Sequence, residues 1–477
     1  MPTLPRLGAA AVRGGVVGPT LLALRQYLVD YDRELAGAFR DGAPAPMLAA
    51  ARASAVARVL SHAWQAWLGD TAQAALIATG GFGRGELFPY SDVDLLVLTI
   101  EYPDARLLRT IASFSACLWD IGLKPGYAVR DLPSCRAIAH EDVSVYSNLL
   151  EARHLDGARV LAESLLGSLP DETLWTPARF LAAKHAEQSA RHLRFGDTAY
   201  NLEPQLKEGP GGFRDLQMIG WLGRAIAGSS DAQTMVEAGL LDAGEIDVIA
   251  AARVTLFRIR YALHLLARRA EERLLFDYQR DLASALGYRD EHSDNLGVEQ
   301  FMQGYFRAVR SIATVNEELL ARCSEMLAEP TDAPVELPGG FRRIGARLDI
   351  VDAARMRSEP QAIIELYALF ASERGVRGLR ANALRQVRHA LADPQFDLDA
   401  PAVFAALRDL LERGAPAVGS LAAMARHGVL ARLIPGFARV TGRMQYDLFH
   451  VYTVDEHTMR VLQFIARFDA DTAGADY

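Results

Sequence analysis

Residues 76–100 decide the fold, and they read L-I-A-T-G-G-F-G-R-G-E-L-F-P-Y-S-D-V-D-L-L-V-L-T-I. The stretch opens with an apolar segment of strand length, is interrupted by a glycine pair, and closes with Asp92-Val93-Asp94 leading into a second apolar segment. Because alternate residues of a strand point to the same face, we expect Asp92 and Asp94 to share one face while Val93 enters the core. Two carboxylates on one face make half of a Mg²⁺ site, since hard cations take oxygen ligands and complete their shell with substrate phosphates.

The glycines of this stretch match neither of two better-known phosphate-binding loops. A dinucleotide-binding G-x-G-x-x-G that begins at Gly81 requires a third glycine where Glu86 stands. A Walker A loop that begins at Gly80 finds Gly85 at the right distance, but then meets Glu86 and Leu87 instead of lysine and serine or threonine. A simple hairpin turn needs only one or two glycines, whereas this segment has four in six residues. The glycines therefore favour a tight turn that approaches phosphate.

The composition indicates a large folded protein that is a poor general binder of nucleic acid. A chain of 477 residues is expected to form two to four domains. Half of the residues are hydrophobic and 23% are charged, which excludes wholesale disorder. The chain carries 51 basic and 59 acidic residues, a net charge of −8. Because the neutralisation of phosphates by basic residues supplies most of the affinity for nucleic acid, a net acidic chain is a poor general binder of it.

The cysteines and the apolar segments bound the cellular location. Cys117, Cys135 and Cys323 are widely spaced and give neither a disulfide framework nor a zinc spacing. We expect them to be buried, in a reducing compartment. No apolar segment has the length of a membrane span, and the N-terminus lacks a signal-peptide core of sufficient length. The sequence therefore predicts a cytoplasmic protein without membrane contact.

Periodicity and breaker residues outline the rest of the chain. Alternating strand and helix patterns around the opening stretch imply an open α/β sheet. Residues 167–326 are predicted to be nearly all helical, apart from a glycine-rich loop at 201–215. The remaining predictions are a loose leader over 1–18, helices over 19–39, 47–67 and 105–120, a strand over 127–130, a strand or helix end over 149–157, a linker over 330–340 and a third helical stretch over 361–437.

The glycine-rich loop has three glycines in four residues between Lys207 and Arg214. A flexible backbone between two cations suits the approach to phosphate oxygens, by backbone N–H groups and by a guanidinium fork. The alternative is a plain turn between helices in which Arg214 pairs with its neighbour Asp215. Both interpretations remain open from the residues alone.

Four segments carry a resemblance to known families. The arrangement of G-G, about ten residues, then D-x-D at the head of a strand resembles the nucleotidyltransferase superfamily of DNA polymerase beta. The fuller string G-G-F-G-R-G-E-L-F-P-Y-S-D-V-D-L-L resembles more narrowly the bacterial PII uridylyltransferase/uridylyl-removing enzymes of nitrogen signalling. The later segments that resemble the same family are K-E-G-P-G-G-F-R-D-L-Q at 207–217, residues 272–283 with 298–305, and residues 444–462.

The resemblance implies a fold class and a division into domains. The expected fold is a DNA polymerase beta-like nucleotidyltransferase domain, a mixed sheet with helices, followed by helical-bundle domains, so that the chain is α/β plus all-α. The expected parts are an N-terminal helical segment (1–70), the nucleotidyltransferase domain (71–160), a helical domain that covers the nucleotide (161–330), a second helical region with a linker (331–443) and the truncated start of an HD-type phosphohydrolase domain (444–477).

The resemblance also implies roles for individual residues. Asp92 and Asp94 would hold the metal ions. The expected nucleotide-binding residues are Gly80, Gly81, Arg84, Ser91, Lys207, Arg214, Arg273 and Asp277. Read without the resemblance, the segment that holds Arg273 and Asp277 is a charged amphipathic helix with a solvated or packing role.

Nucleotidyl transfer usually needs a third carboxylate from a later element. Glu151 is the first candidate, because it follows the third predicted strand in an alternating segment, and Asp215 is the second. An equally open alternative makes Glu151 a partner of Arg153 or a surface acid.

The fourth segment suggests that one activity is missing. His457 would be the first metal ligand of an HD-type domain, but no histidine follows it up to Tyr477. One imidazole cannot make a site that needs several protein ligands. We therefore expect no uridylyl-removing activity, and no C-terminal ACT-type domains of the kind that sense glutamine, the regulator of the full-length family.

The reaction that the resemblance implies is Mg²⁺-dependent transfer of UMP from UTP to a tyrosine hydroxyl of the signalling protein PII. Two alternatives stay open. One is a protein adenylyltransferase that uses ATP, since the residues that read the base are not evident in the sequence. The other is a regulatory fragment that binds PII or nucleotide without catalysis.

Overall fold

A computed structural model describes residues 18–69, 71–171, 173–196, 198–292, 295–328, 333–373, 375–446 and 452–473. Residues 1–17 of the predicted leader, and Asp447 and His450 of the fourth segment, lie outside the described residues. The chain divides into two compact units. The first comprises Met1–Lys184, Gly220–Ser230 and Arg253–Glu272, and the second comprises His185–Ile219, Asp231–Ala252 and Arg273–Tyr477. The five-part division inferred from the sequence stays a prediction.

Two long helices open the first unit, as predicted. They are α1 (Gly18–Arg40) and α2 (Ala45–Trp67), and they pack against each other. The break between them falls where expected, because Gly42 takes a left-handed φ of 94° and α2 begins with proline in its first turn.

A mixed four-stranded sheet forms the centre of the first unit. Its strands are β1 (Ala74–Ala78), β2 (Val93–Thr99), β3 (Pro125–Asp131) and β4 (Arg153–Gly157), in the spatial order β3-β2-β1-β4. β1 is antiparallel to β2 and β4, whereas β2 and β3 are parallel. All five residues of β1 are buried, as expected for an apolar strand inside a sheet. The predicted mixed sheet with helices is confirmed.

Five short or medium helices connect these strands and follow them: α3 (Gly80–Gly83), α4 (Ala105–Ile121), α5 (Leu132–Glu141), α6 (Val143–Leu150) and α7 (Arg159–Ser168). α4 provides the crossover that a parallel strand pair requires. It begins where the Asp104 carboxylate accepts a hydrogen bond from the Leu107 N–H at 2.7 Å, and it ends at Gly122, whose φ is 92°. The ambiguous segment 149–157 proves to be both a helix end and a strand.

Residues 167–326 are predominantly helical, as predicted. The helices are α8 (Pro177–Arg194), α9 (Phe213–Ala227), α10 (Ala232–Glu237), α11 (Ala243–Ala267), α12 (Phe276–Ala285) and α13 (Gly297–Leu327). Across the described ranges, none of the helices combines the length and the apolar character that crossing a membrane requires. Cys117, Cys135 and Cys323 are buried free thiols, as expected.

A second small sheet in the second unit corrects the predicted linker over 330–340. Its strands are β5 (Val335–Leu337), β6 (Phe341–Ile344), β7 (Arg347–Ile350) and β8 (Gly378–Leu379), in that order. Gly339 and Gly340 have φ of 81° and 76° and form the turn between β5 and β6. Composition alone makes a glycine turn look like a linker when the strands beside it have only three or four residues.

Helices pack around this second sheet and follow it, as predicted for residues 361–437. They are α14 (Ala353–Ser358), α15 (Gln361–Ser372), α16 (Ala381–Ala392), α17 (Pro401–Leu411), α18 (Ala417–Arg426), α19 (Val429–Leu433), α20 (Pro435–Val440) and α21 (Val454–Ala473). The core here combines aliphatic and aromatic side chains, and Phe341, Leu348 and Ile350 of β6 and β7 belong to it.

Candidate active site

Two carboxylates stand at the head of β2. Asp92 and Asp94 are exposed, whereas Val93 between them is only 1% exposed. The Val93 N–H donates to the Lys124 carbonyl at 2.9 Å, and the Thr79 N–H donates to the Asp94 carbonyl at 3.1 Å. The predicted alternation along the strand is confirmed.

The Asp94 carboxylate lies between two glycines. A Cβ atom on Gly80 would lie 3.0 Å from Asp94 Oδ2, and one on Gly126 would lie 3.1 Å from Asp94 Oδ1. Gly80 also has a left-handed φ of 55°, and Gly126 is the partner of Asp94 in the β2–β3 register. Any larger residue would crowd the carboxylate. Asp94 in this cradle and the exposed Asp92 two residues before it supply the oxygen donors that a divalent cation prefers, so the residues present fit such an ion.

The glycine pair forms the short helix α3 directly after β1. The turn is closed by backbone hydrogen bonds, from the Arg84 N–H to the Gly80 carbonyl at 3.1 Å and from the Glu86 N–H to the Gly81 carbonyl at 2.8 Å. Gly83 packs against the chain behind it, since a Cβ there would lie 2.2 Å from the Glu151 carbonyl oxygen. Glycine is therefore required at position 83 by close backbone packing.

Arg84 lies between two carboxylates beneath this turn. Its Nη1 donates to Glu151 Oε2 at 2.5 Å, and its Nε donates to Glu86 Oε2 at 2.9 Å. Glu86 also accepts from Arg253 Nη2 at 2.9 Å. Burial opposes the charge on Arg84, but Glu151 and Glu86 outweigh it and raise the pKa of Arg84. Burial likewise opposes ionisation of Glu86, and the two arginines outweigh it and lower its pKa.

Glu151, the first candidate for the third metal carboxylate, has other partners. It is 5% exposed, and its Oε1 accepts from the indole Nε1 of Trp221 at 2.6 Å. Glu151 forms its ion pair with Arg84. Arg153 instead donates to the backbone carbonyls of Phe82 and Gly83 at 3.1 and 3.2 Å. Neither the surface acid nor the Arg153 partner suggested by the sequence is observed. Within the described ranges, no three or more His, Cys, Asp or Glu side chains are grouped to hold a metal.

The turn that leads into Asp92 is held by two residues that the sequence did not reveal. Arg52 Nη1 donates to the Phe88 carbonyl at 3.0 Å, and His264 Nδ1 lies 2.7 Å from the Pro89 carbonyl. Tyr90, the next residue, has a positive φ of 62°, which costs energy for a residue with a side chain. The Ser91 N–H donates to the Phe88 carbonyl at 3.2 Å. Arg52 and His264 come from distant helices, so no local signal points to them.

In the second unit, Asp215 is a buried hub of the glycine-rich loop. It is 1% exposed and accepts from Arg191 Nη2 at 2.6 Å, Gln188 Nε2 at 2.8 Å and the Gly211 N–H at 2.7 Å. His192 Nε2 lies 3.0 Å from its second oxygen. Burial opposes ionisation of Asp215, but His192 and Arg191 outweigh it and lower its pKa. Asp215, the second candidate for a metal carboxylate, thus uses its oxygens in hydrogen bonds that hold the loop.

Arg214 pairs with a different acid than the sequence suggested. Its Nε donates to Glu208 at 3.2 Å, and its Nη1 donates to Gln217 Oε1 at 3.0 Å. The alternative in which it pairs with the adjacent Asp215 is wrong, because helix α9 directs the two side chains to different neighbours. Lys207 is half-buried, and its N–H donates to Gln205 Oε1 at 2.7 Å.

The loop glycines are required by packing. A Cβ on Gly211 would lie 2.1 Å from the Val309 carbonyl, and one on Gly212 would lie 2.4 Å from the Leu206 carbonyl. Gly211 also has a left-handed φ of 72°. The structure shows a tightly packed loop where the sequence predicted a flexible one, because glycine composition alone does not distinguish close approach from freedom.

The segment with Arg273 and Asp277 joins the same loop. Arg273 forms a β-bridge with Gln205, and the next N–H, of Leu274, donates to the Pro204 carbonyl at 2.9 Å. The Phe276 N–H donates to the Glu203 carboxylate at 2.9 Å, and Asp277 follows in the first turn of α12. Arg273 lines a cavity of about 30 Å³ beside the loop, which has the size for water. The structure therefore brings the second and third motif segments together.

The described part of the fourth segment joins this group as well. The Tyr446 hydroxyl donates to the Phe276 carbonyl at 3.0 Å. Tyr452 forms a β-bridge with Asn201. His457 lies exposed on α21.

Three protein-family models match parts of this chain. The nucleotidyltransferase domain family matches residues 58–124, the GlnD PII-uridylyltransferase family matches 179–320, and the uridylyltransferase GlnD third domain matches 341–433. A bifunctional uridylyltransferase/uridylyl-removing enzyme of Methylococcus capsulatus is 42% identical over 440 residues, which is 91% of this chain and 50% of that protein. Over 91% of its length the chain is therefore similar to a PII uridylyltransferase.

Two further relatives with the same printed name show the same similarity. That of Xanthomonas campestris pv. campestris (strain B100) is 41% identical over 450 residues, covering 94% of this chain and 51% of the relative. That of Pseudomonas aeruginosa (strain LESB58) is 36% identical over 475 residues, covering 98% and 52%. The chain spans about half the length of the curated relatives it matches.

The residues matched by the family models include those of the candidate site. The nucleotidyltransferase match contains the glycine turn and the carboxylates of β2, and the PII-uridylyltransferase match contains the packed loop and the segment with Arg273. The family resemblance inferred from the sequence is therefore confirmed.

Proposed function

We propose that this chain transfers UMP from UTP to a tyrosine hydroxyl of a PII signalling protein, with Mg²⁺ as the metal. The observation that carries the proposal is the pair of exposed carboxylates, Asp92 and Asp94, at the head of β2 beside the glycine turn. It stands in a chain whose relatives are named uridylyltransferases.

Asp92 and Asp94 would hold the metal. When bound, Mg²⁺ neutralises triphosphate charge and lowers the pKa of an attacking hydroxyl. The residues of this chain bind and orient the nucleotide around that point. Gly80 and Gly81 leave space for a triphosphate to approach the backbone, and Arg84 keeps its positive charge because two carboxylates hold it.

Ser91 in the first unit and, separately, four residues in the second unit are proposed as nucleotide-binding residues. Ser91 is half-buried directly before Asp92. The four residues of the second unit belong to two motif segments that pack on each other through the Gln205–Arg273 bridge: Lys207, Arg214, Arg273 and Asp277. A triphosphate carries several negative oxygens, so the three cations among these residues, Lys207, Arg214 and Arg273, suit it.

The experiment that tests the proposal is intact-mass spectrometry of a PII protein incubated with this chain, Mg²⁺ and equal amounts of UTP and ATP. We expect an increment of the mass of UMP, absent with Asp92→Asn/Asp94→Asn and retained with Glu163→Gln, an exposed acid of α7. An increment of the mass of AMP would show that the chain transfers an adenylyl group instead of a uridylyl group. Nucleotide binding without any increment would make the chain a regulatory binder and overturn catalysis.

The predicted lack of uridylyl-removing activity stays a prediction. It is checked by incubating uridylylated PII with the chain, with and without glutamine, and following the loss of the UMP increment. Any metal-dependent loss would contradict it.

A further inference from the structure

The segment between α6 and β4 supports the glycine turn from behind. Arg153 donates from its guanidinium to the carbonyls of Phe82 and Gly83, and its guanidinium carbon lies 5.6 Å from the centre of the Phe82 ring. The Glu151 carbonyl fills the space that a Cβ on Gly83 would need. The backbone of the turn and the backbone at Glu151 are therefore fitted to each other.

The Glu151 side chain extends the same support to Arg84. One carboxylate oxygen accepts from Arg84 Nη1 at 2.5 Å, and the other accepts from Trp221 Nε1 at 2.6 Å. The Leu150 carbonyl, one residue earlier, accepts from Arg224, so α9 holds this corner at two points. Each oxygen of Glu151 thus has a strong donor, and the carboxylate is buried.

The guanidinium of Arg84 is oriented by these partners. Nη1 is bound to Glu151 and Nε to Glu86, while Nη2 lies 3.6 Å from the position that a Cβ on Gly81 would take. The third nitrogen therefore lies beside the turn where the triphosphate is proposed to bind. A fork held on two sides by carboxylates loses little further freedom when it binds phosphate.

We propose that Glu151 is a positioning residue for Arg84 and does not ligate the metal. The inference rests on the proposed function, since it names the residue that orients the cation of that same nucleotide site. Glu151 acts on nucleotide affinity through Arg84, and Trp221 fixes the carboxylate that does so.

The test compares Glu151→Gln, Arg84→Gln, their double variant and Trp221→Phe with the matched control Glu163→Gln. Trp221→Phe removes the indole N–H that binds Glu151 and puts a smaller aromatic ring in its place, so it loosens Glu151 without removing a buried charge. Calorimetry measures the affinity for UTP with Mg²⁺ in the absence of PII. Transfer assays measure KM for UTP, kcat, and the Mg²⁺ concentration for half-maximal rate at saturating UTP.

For Glu151→Gln we expect KM and the dissociation constant for UTP to rise about ten- to a hundredfold, the equivalent of a lost hydrogen bond to a charged group. The half-maximal Mg²⁺ concentration stays unchanged. The double variant matches Arg84→Gln alone, because the two residues act as one unit. Trp221→Phe changes UTP affinity in the same direction and by less.

Three results would overturn the inference: a shift of the Mg²⁺ requirement in Glu151→Gln, additive losses in the double variant, or behaviour equal to that of Glu163→Gln. Failure of the proposed function is a separate result. If the wild-type chain binds UTP but transfers nothing, weakened UTP binding by Glu151→Gln still supports the positioning role, while the catalytic proposal falls.

Discussion

Asp94 and Gly126 face each other across the parallel strands β2 and β3, with the carboxylate 3.1 Å from the place where a Cβ on Gly126 would stand. This distance is shorter than most real contacts of a Cβ atom, so a side chain at position 126 would crowd the Asp94 carboxylate. The glycine on β3 leaves the carboxylate the space that it occupies. The glycine at position 126 is thereby tied to the candidate site.

Gly126→Ala tests this relationship. The added methyl displaces the Asp94 carboxylate, and we expect kcat for transfer to fall by about tenfold or more, since small displacements of reacting groups are costly. The thermal midpoint should change little, because Gly126 is exposed. Gly37→Ala is the control, since a Cβ there meets nothing within 4 Å. Equal activity of both variants would contradict the proposed role of the Asp94 carboxylate.

Gly211→Ala tests whether the loop glycines serve packing. Gly211 and Gly196 have nearly the same φ, 72° and 73°, but a Cβ on Gly211 would strike the Val309 carbonyl while one on Gly196 meets nothing within 4 Å. We expect Gly196→Ala to cost about 1 kcal/mol of unfolding free energy from φ alone. Gly211→Ala should cost about 1–3 kcal/mol more through overpacking. Urea unfolding of the two variants measures the difference, and equal losses would refute the packing argument.

Asp215→Asn removes the charge at the centre of the loop. Arg191 and His192 then lose the carboxylate that they share, and breaking a buried pair in this way costs about 3–5 kcal/mol. The exposed Asp247 on α11 is the matched control, and Asp247→Asn should stay within about 0.5 kcal/mol of the wild type. Both are compared by urea unfolding. A small loss in Asp215→Asn would show that the hydrogen bonds suffice without the charge.

Glu318 should make stability depend on pH. Burial, and then the hydrogen bond with Glu245, raise its pKa from 4.5 to about 8 against the opposing charge of Arg388. Other charged residues lie around this group. Asp242 pairs with Arg388 at 2.6 Å and lies 3.6 Å from His389, and Arg322 pairs with Glu245 at 3.1 Å.

The folded state therefore holds a proton on Glu318 that the unfolded state releases. Its stabilising contribution is full below pH 4.5 and is lost as the pH rises through about 8. Between pH 6 and 9 the thermal midpoint should fall more for the wild type than for Glu318→Gln, which imitates the protonated acid. Glu412→Gln, at an exposed site on the C-terminal side of α17, should follow the wild type. Parallel curves for all three proteins would contradict the assigned proton.

Local patterns in the sequence determined the strand, turn and strand around the carboxylates. Period-two alternation placed Asp92 and Asp94 on one side because a strand imposes that period whatever surrounds it. The helices α1 and α2 were predicted from the spacing of their apolar residues, because a helix likewise imposes its own period. The motif strings also sufficed to recognise the family resemblance that the comparisons confirmed.

Only the tertiary structure decided what the buried charges do. Arg84 and Glu151 are 67 positions apart, and Arg191 and Asp215 are 24 apart, so neither pair leaves a local pattern. The second sheet escaped prediction because its strands have only two to four residues, too few for a period to appear. Residue types name candidates for charge and metal chemistry, but a buried carboxylate takes its partner from the chain packed around it, because desolvation makes an unpaired charge there too costly.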